Sequence, residues 1–384
     1  MSEVANIPQL RFPGFSDEWE ERPLKDVSTF FNGKAYKQAE LLSSGKYPVL
    51  RVGNFFTNNS WYYSNLELDE NKYCDNGDLL YAWSASFGPR IWAGEKVIYH
   101  YHIWKVINHS QVTKKFLFIV LDNETAKMKA QSANGFALLH ITKGTIENWK
   151  INLPTRQEQQ KIAAFLAAVD SKIEQLSKKQ ALLGEYKKGL MQQIFTQEIR
   201  FKAGDGSDFP DWEEKKLGDV FEIKAGQSKS KHIKKDGKNI IVDMGGISSE
   251  PKLVAKKLTD YDDDFLTTND LVMPKDDIGG GLIIGKVAEI PENNKYICGD
   301  HIYKLTVVNG NITFLKYAIN SYQVNKSFRQ KANGTAQIGL SRKEVENQLL
   351  SFPSLKEQTK IANFLSSIDS KIEQVGKQLN ESKQ

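Results

Sequence analysis

Two stretches of this chain place apolar residues in alternating steps of four and three. The first runs Ile162, Leu166, Val169, Ile173, Leu176, Leu183, Leu190 and Ile194, with Gln180 and Lys187 filling two positions of the same seam. The second runs Ile361, Leu365, Ile368, Ile372, Val375 and Leu379. This spacing predicts two helices, each with one narrow apolar stripe of the coiled-coil kind. The flanks are Lys, Glu, Gln and Ser, so neither stripe is stable facing water. The simplest cover for one is the other, and chain order favours an antiparallel pair. Each helix opens after a proline with a hydroxyl and, three residues on, a glutamate: Thr155 with Glu158, and Ser354 with Glu357. That reads as a capping box, in which the glutamate reaches back to the cap amide. A first helix of roughly 40 residues spans about 60 Å.

The helices are one part of a longer repeat. EQQKIAAFLAAVDSKIEQ (158–175) returns as EQTKIANFLSSIDSKIEQ (357–374), with thirteen of eighteen residues identical at an offset of 199. QSANGFALLHITKGTIENWKINLP (131–154) aligns with QKANGTAQIGLSRKEVENQLLSFP (330–353) at that offset. DEWEERPLKDV (17–27) answers PDWEEKKLGDV (210–220) at 193. GDLLYAW (77–83) resembles NDLVMPK (269–275), and HIWKV (102–106) resembles HIYKL (301–305). The period far exceeds that of a solenoid. A unit of nearly 200 residues occurs twice, with a constant frame and a divergent centre, as expected of two domains doing one job on different targets.

Within each domain the pattern shortens to strand-like runs at 78–83, 96–107, 239–245, 282–290 and 301–308, with helical runs at 114–131 and 313–331. Turn signals such as Asn134-Gly135 and Asn333-Gly334 separate them. The predicted fold class is α+β: two pseudo-two-fold-related mixed α/β domains joined by two long antiparallel coiled-coil helices. The expected boundaries are 1–154 and 200–353 for the domains, and 155–199 and 354–384 for the helices.

Composition adds little to this picture. Charged residues are 26% and hydrophobic residues 40% of 384, as in a soluble globular chain. The longest apolar stretch, 116–121, is far short of the ~20 residues a membrane span needs. MSEVANIPQLRF lacks the basic-then-apolar pattern of a signal peptide. Cys74 and Cys298 lie in different halves and read as unlinked thiols, suiting a cytoplasmic chain. The net charge of +5 permits nucleic-acid contact without requiring it.

Catalytic chemistry is not legible. GGLIIGKV (280–287) has the glycine spacing of a phosphate loop, but Val287 stands where Mg²⁺ needs a hydroxyl. His100 and His102 would share a strand face without a third metal ligand, and Asp262 to Asp264 read as a solvated turn. Positive charge, in contrast, clusters. GQSKSKHIKKDGK (226–238) carries Ser228, Lys229, Lys231 and Lys234, and GKAYKQ (33–38) carries Lys34, Tyr36 and Lys37 in the aligned place. Lysines suit phosphates, which position a protein on DNA. Two loops after aligned strands offer base-reading groups: Ser84, Ser86 and Arg90 in one, Lys275, Asp276 and Asp277 in the other. Gln337 is a third candidate, for an adenine edge. The residues also leave open a coiled-coil adaptor with protein-binding domains and no sequence-specific DNA reading.

The layout of variable domain, helix P-x-x-x-E-Q-x-K-I-A-x-F-L-x-x-x-D-S-K-I-E, variable domain and second such helix resembles the specificity (S) subunit of type I restriction-modification systems. The resemblance covers the whole chain, including EYKKGLMQQIF (185–195) and the openings FSDEWEERPLKDV and FPDWEEKKLGDV. Copy two ends in VGKQLNESKQ, without a counterpart of Tyr186 to Leu190 in this sequence. The resemblance implies that each variable domain is a target recognition domain reading half of a split DNA sequence, so that double-stranded DNA is a partner. It implies that the helices dock two modification (methyltransferase) subunits. These carry S-adenosylmethionine and methylate adenine N6. Restriction subunits, with ATP and Mg²⁺, join to cleave unmethylated DNA. The S subunit itself is then no enzyme and holds no cofactor or metal.

Overall fold

The computed structural model describes residues 8–383 apart from 57, 85–86, 133–140 and 335–336, and the backbone only at 131–132. The chain divides into two compact units, Met1–Lys172 and Ile173–Gln384.

In the first unit, strands Ser28–Asn32, Ile103–Asn108, Leu79–Ala82 and Gly88–Ile91 form an antiparallel sheet in that order. Side chains alternate between its faces. Leu79, Tyr81, Trp104 and Val106 pack on one side with Phe116, Leu117 and Leu121 of the helix Lys114–Ser132. Leu80, Ala82 and Ile103 pack on the other with Leu50, Phe55 and Tyr99. Both faces are covered, so Leu79–Ala82 is buried throughout. A second sheet, Tyr62–Ser64, Tyr47–Leu50, Val97–Tyr99 and Tyr73–Cys74, closes that side. Its central pair is parallel.

The second unit repeats this plan. Phe221–Ala225, Ile302–Val307, Asp270–Pro274 and Ala288–Glu289 form one sheet, and Lys257–Thr259, Asn239–Val242 and Tyr296–Cys298 the other. The parallel pairing recurs between Asn239–Val242 and Tyr296–Cys298. Two expectations change here. The run 282–290 is strand only at Ala288–Glu289. The helix expected over 313–331 breaks into Ile312–Ile319 and Tyr322–Lys331. The break has a cause: the Asn320 side chain clamps the Val287 backbone, accepting from its N at 3.1 Å and donating to its O at 2.9 Å.

The matching ends of the repeat pair with each other. Glu20–Pro23 runs antiparallel to Lys150–Leu153, and Glu213–Lys216 to Leu349–Phe352. The frame is constant because each domain closes on its own two ends.

The long helices are Arg156–Phe195 and Leu355–Lys383. Within the second unit the second helix buries Ile361, Leu365, Ile368, Val375 and Leu379, while Ile372 is half-buried. Its stripe meets Leu190, Met191 and Ile194 of the first helix. Lys187 Nζ lies 2.5 Å from Asp369 Oδ1, and a Cβ on Gly376 would meet Gln180 Nε2 at 2.7 Å. A step forward in one helix is a step back in the other, so they run antiparallel. The two polar residues of the seam face a carboxylate and a glycine, which pins the register. Ile173 and Leu176 are half-buried. In the first unit, Ile162 packs instead against the domain core, and Leu166 and Val169 are half-buried.

The capping boxes are half made. Thr155 and Ser354 accept from the amides of Glu158 and Glu357, each at 3.4 Å. The carboxylates do not reach back. Glu158 takes a two-pronged ion pair from Arg11 at 2.8 Å on each prong, and Glu357 one from Arg200 at 3.4 and 3.0 Å. Both carboxylates are buried, and a guanidinium answers a buried charge better than one amide does.

Candidate nucleic-acid interface

In both domains one tight turn carries the chain from the second sheet into the first: residues 100–102 in the first and 299–301 in the second. Two other loops converge on it. Gly33 N donates to Ile103 O at 3.1 Å, Lys34 N to Tyr99 O at 3.0 Å, and Tyr101 N to Lys34 O at 3.0 Å. Gly226 N donates to Ile302 O at 2.8 Å in the same manner. A Cβ at Gly33 would lie 2.3 Å from His100 O, and one at Gly226 only 2.0 Å from Gly299 O, so the approach requires glycine. From the other side, Trp83 N donates to His102 O at 3.0 Å, and Lys275 N to His301 O at 2.8 Å. These two backbone bonds are common to both domains; the side chains presented on the turn are not.

The first domain presents rings. Trp83 stacks on Trp104 with centroids 5.8 Å apart, meets His102 edge-on at 4.8 Å, and donates from Nε1 to Tyr101 O at 2.7 Å. Tyr36 stacks on His100 at 6.2 Å. Burial, then His102 and Arg51, push His100 down to about 4, so it is neutral at physiological pH. Burial raises the Tyr36 phenol well above its usual range. Tyr101 is 38% exposed at the tip.

The second domain presents charges. His301 holds φ +60, a left-handed backbone that side chains disfavour. Its Nδ1 sits 2.9 and 2.7 Å from the Asp276 carboxylate oxygens, and its Nε2 3.8 Å from Asp300 Oδ2. Lys275 Nζ pairs with Asp300 Oδ1 at 3.3 Å. The His301 amide first, and Lys275 with it, hold Asp300 below the usual carboxylate range. Asp276–Asp277 pairs with Ile338–Gly339, which brings Gln337 to the same end of the domain. The buried Asp277 carboxylate accepts from Gly279 N at 2.6 Å and Ile283 N at 3.2 Å, and the loop so held exposes Ile278 and Leu282.

The structure thus brings Lys34, Tyr36 and Ser84 together on the first domain, and Lys275, Asp276 and Gln337 on the second. Ser84 is buried beneath its loop, and Ser86 lies outside the described residues. Lys34 is paired with Glu40 at 3.3 Å, whereas Lys37 is exposed. Two candidates, Asp277 and Lys229, are corrected: Asp277 is buried with its carboxylate committed to Gly279 N and Ile283 N, so it does not face a base. Lys229 is 6% exposed and paired at 3.3 Å with the part-exposed Asp264, so its buried ammonium is not available to a phosphate. Asp264 is accordingly not a freely solvated acid. Arg90 is exposed, with one guanidinium nitrogen donating to Phe55 O and the group lying over the rings of Phe55 and Phe56. Ser228, Lys231 and Lys234 are exposed, but Lys234 turns away from the turn to bond Leu258 O through its amide and Asp260 through its side chain. Sequence reasoning missed the turns themselves. The signal was present in the aligned His102 and His301, but His100 and His102 read as a structural or surface pair on one strand face and not as part of a turn. Among the described residues, no group of three or more His, Cys, Asp or Glu is arranged to hold a metal ion. Burial pushes both thiols up, Cys298 to about 12.

A family model described as the type I restriction modification DNA specificity domain matches residues 16–183 and again 210–383. The specificity subunit of type I restriction enzyme MjaVIII from Methanocaldococcus jannaschii is 27% identical over 95% of this chain and 88% of its own length. That of EcoBI from Escherichia coli is 20% identical over 95% and 82%. Among solved structures, the S subunit of a type I restriction-modification system from M. genitalium superposes with a TM-score of 0.62 at 15% identity, covering 99% of this chain and 96% of that one. A chain from a study of complex assembly and conformational transition of the type I system gives 0.55 at 17% identity, covering 98% and 96%.

Proposed function

The chain belongs to the type I restriction-modification DNA specificity family, and we propose that its two domains each read one half of a divided DNA target while the helices set the unread stretch between. It is a non-catalytic DNA-recognition subunit with two recognition domains. One observation carries the proposal. The two domains hold two loops against one turn by the same two backbone bonds, yet one displays Tyr36, Trp83 and Tyr101 and the other Lys275, Asp276 and His301. A constant frame with exchanged surface chemistry is what two readers of different words require. Rings suit the thymine methyl and apolar edges, and charged groups suit base donors and acceptors. Exposed Lys37 and Lys231 suit the phosphates that position such a reader.

In this reading two modification subunits, holding S-adenosylmethionine, methylate adenine N6 where the chain directs them. Restriction subunits driven by ATP and Mg²⁺ complete the complex, in the cytoplasm. The test is a matched insertion of one heptad beside Gln180 and beside Gly376, which face each other. Seven residues add about 10.5 Å of helix, or about three base pairs at 3.4 Å each. The mapped target should keep both halves and gain an unread stretch of that order. An unchanged spacing removes the helices from the role of ruler.

A further inference from the structure

We infer that His301 is a specificity-determining residue of the second domain, presenting Nε2 to one base edge of its half-site, with Asp276 as its positioning residue. The inference rests on the reading that this domain contacts DNA. Four observations converge on it. His301 is one of four non-glycine residues with a left-handed backbone among those described, and it stands at the tip of the turn on which the loops close. Such a conformation persists where the surroundings impose it, and functional sites are where it accumulates. Here the surroundings are specific: Lys275 N bonds its carbonyl, and its own amide donates to Asp300 Oδ1 at 2.8 Å. Its ring is not a core histidine, being 43% exposed. One nitrogen is committed: Nδ1 faces both Asp276 oxygens, so this edge carries the proton and the ring is fixed in orientation. Nε2 is the atom left for a partner, with Asp300 too distant for a hydrogen bond at 3.8 Å.

The surroundings also fit a base and not a backbone phosphate. Asp276 and Asp300 flank the imidazole, two carboxylates against the single ammonium of Lys275, a balance that disfavours a phosphate. Gln337 adjoins the strand that pairs with Asp276–Asp277, and exposed Ile278 follows Asp277, so one polar and one apolar side chain lie at this end of the domain. In the first domain the aligned His102 is packed edge-on against Trp83 instead, so a histidine reader belongs to one domain only.

The test selects from a random-sequence duplex library with the full chain in its assembled complex and sequences the bound fraction. For His301→Ala, discrimination at one position of one half-site should fall roughly 5- to 150-fold, the range of one good base contact. The other half should be unchanged. His301→Gln should restore discrimination at that position with adenine preferred, because a glutamine amide matches the N6 and N7 edge. Asp276→Asn should weaken preference at that same position without moving to another. Unchanged base frequencies in His301→Ala, with an unaltered melting curve, overturn the inference while leaving the domain's reading intact. A uniform loss over both halves also overturns it, as the mark of a structural role. Wild-type protein that selects no second word overturns the underlying reading as well.

Discussion

The two domains differ most on a turn that both grip by the same two backbone bonds. Gly33 and Gly226 make the same bond, Trp83 and Lys275 make the same bond, and the turns they grip carry rings in one case and charges in the other. The scaffold beneath explains how this divergence is tolerated. Each sheet is buried on both faces by two separate apolar clusters, so the turn above it contributes little to the core. Surface chemistry can then change without loss of the fold, as expected for loops on a rigid support.

The comparison is sharpest where the frame is attacked, since both domains should suffer alike. Arg200→Ala leaves the Glu357 carboxylate, 0% exposed, without its cation. We expect a loss of about 3 kcal/mol, at the low end for breaking a buried pair because Arg200 is part-exposed. Urea unfolding measures it. Arg11→Ala should act in the same direction on the first domain, through Glu158. A loss in one domain only would mean that the clamps are not equivalent.

Acid should separate the domains. The folded value of His100, about 4, lies below its ordinary one, so the fold favours the neutral ring. Its contribution is complete above pH ~6.5 and is lost as pH falls towards 4. Asp300 is held low instead, so its contribution is present above the ordinary carboxylate range and is lost only as pH falls below it. Between pH 7 and 5 the first domain should weaken by about 1–2 kcal/mol, discounted for the partial exposure of the ring, and the second hardly at all. Six of the seven tryptophans precede residue 150, so tryptophan fluorescence follows the first domain. His100→Gln should flatten the dependence.

The smallest effect expected is at the helices. Asp369 accepts from Lys187 at 2.5 Å and from the Tyr317 hydroxyl at 2.6 Å, tying the second domain to the helix pair. Asp369→Asn should lose about 1 kcal/mol by urea unfolding. Asp170, its counterpart at the repeat offset of 199, is exposed, and Asp170→Asn should be silent.

What could be read from the sequence followed the range of the interactions. The heptad seam was legible because a 3.5-residue period is written in one helix, and the paired frame because the repeat displayed its ends. Gln180 and Lys187 stood out as polar seam positions, and both meet their partners across the helices. The misreadings each hinge on a partner far along the chain. Glu158 looked like a capping residue because the rule is local, whereas Arg11 lies 147 residues away. Lys229 looked available because Asp264, 35 residues on, cannot be placed from a lysine-rich run. The turns were missed because a tight reversal inside one apolar run, 96–107, looks like continuous strand until Ile103 N is seen bonding back to His100 O.

The central claim is that the two domains read independently. Replacing residues 210–350 by the second domain of another specificity chain, and mapping N6-methyladenine across a genome with the modification subunits present, tests it most directly. The account predicts a divided target in which one half is new and the other is unaltered. A continuous target word, or a change in both halves at once, would contradict it.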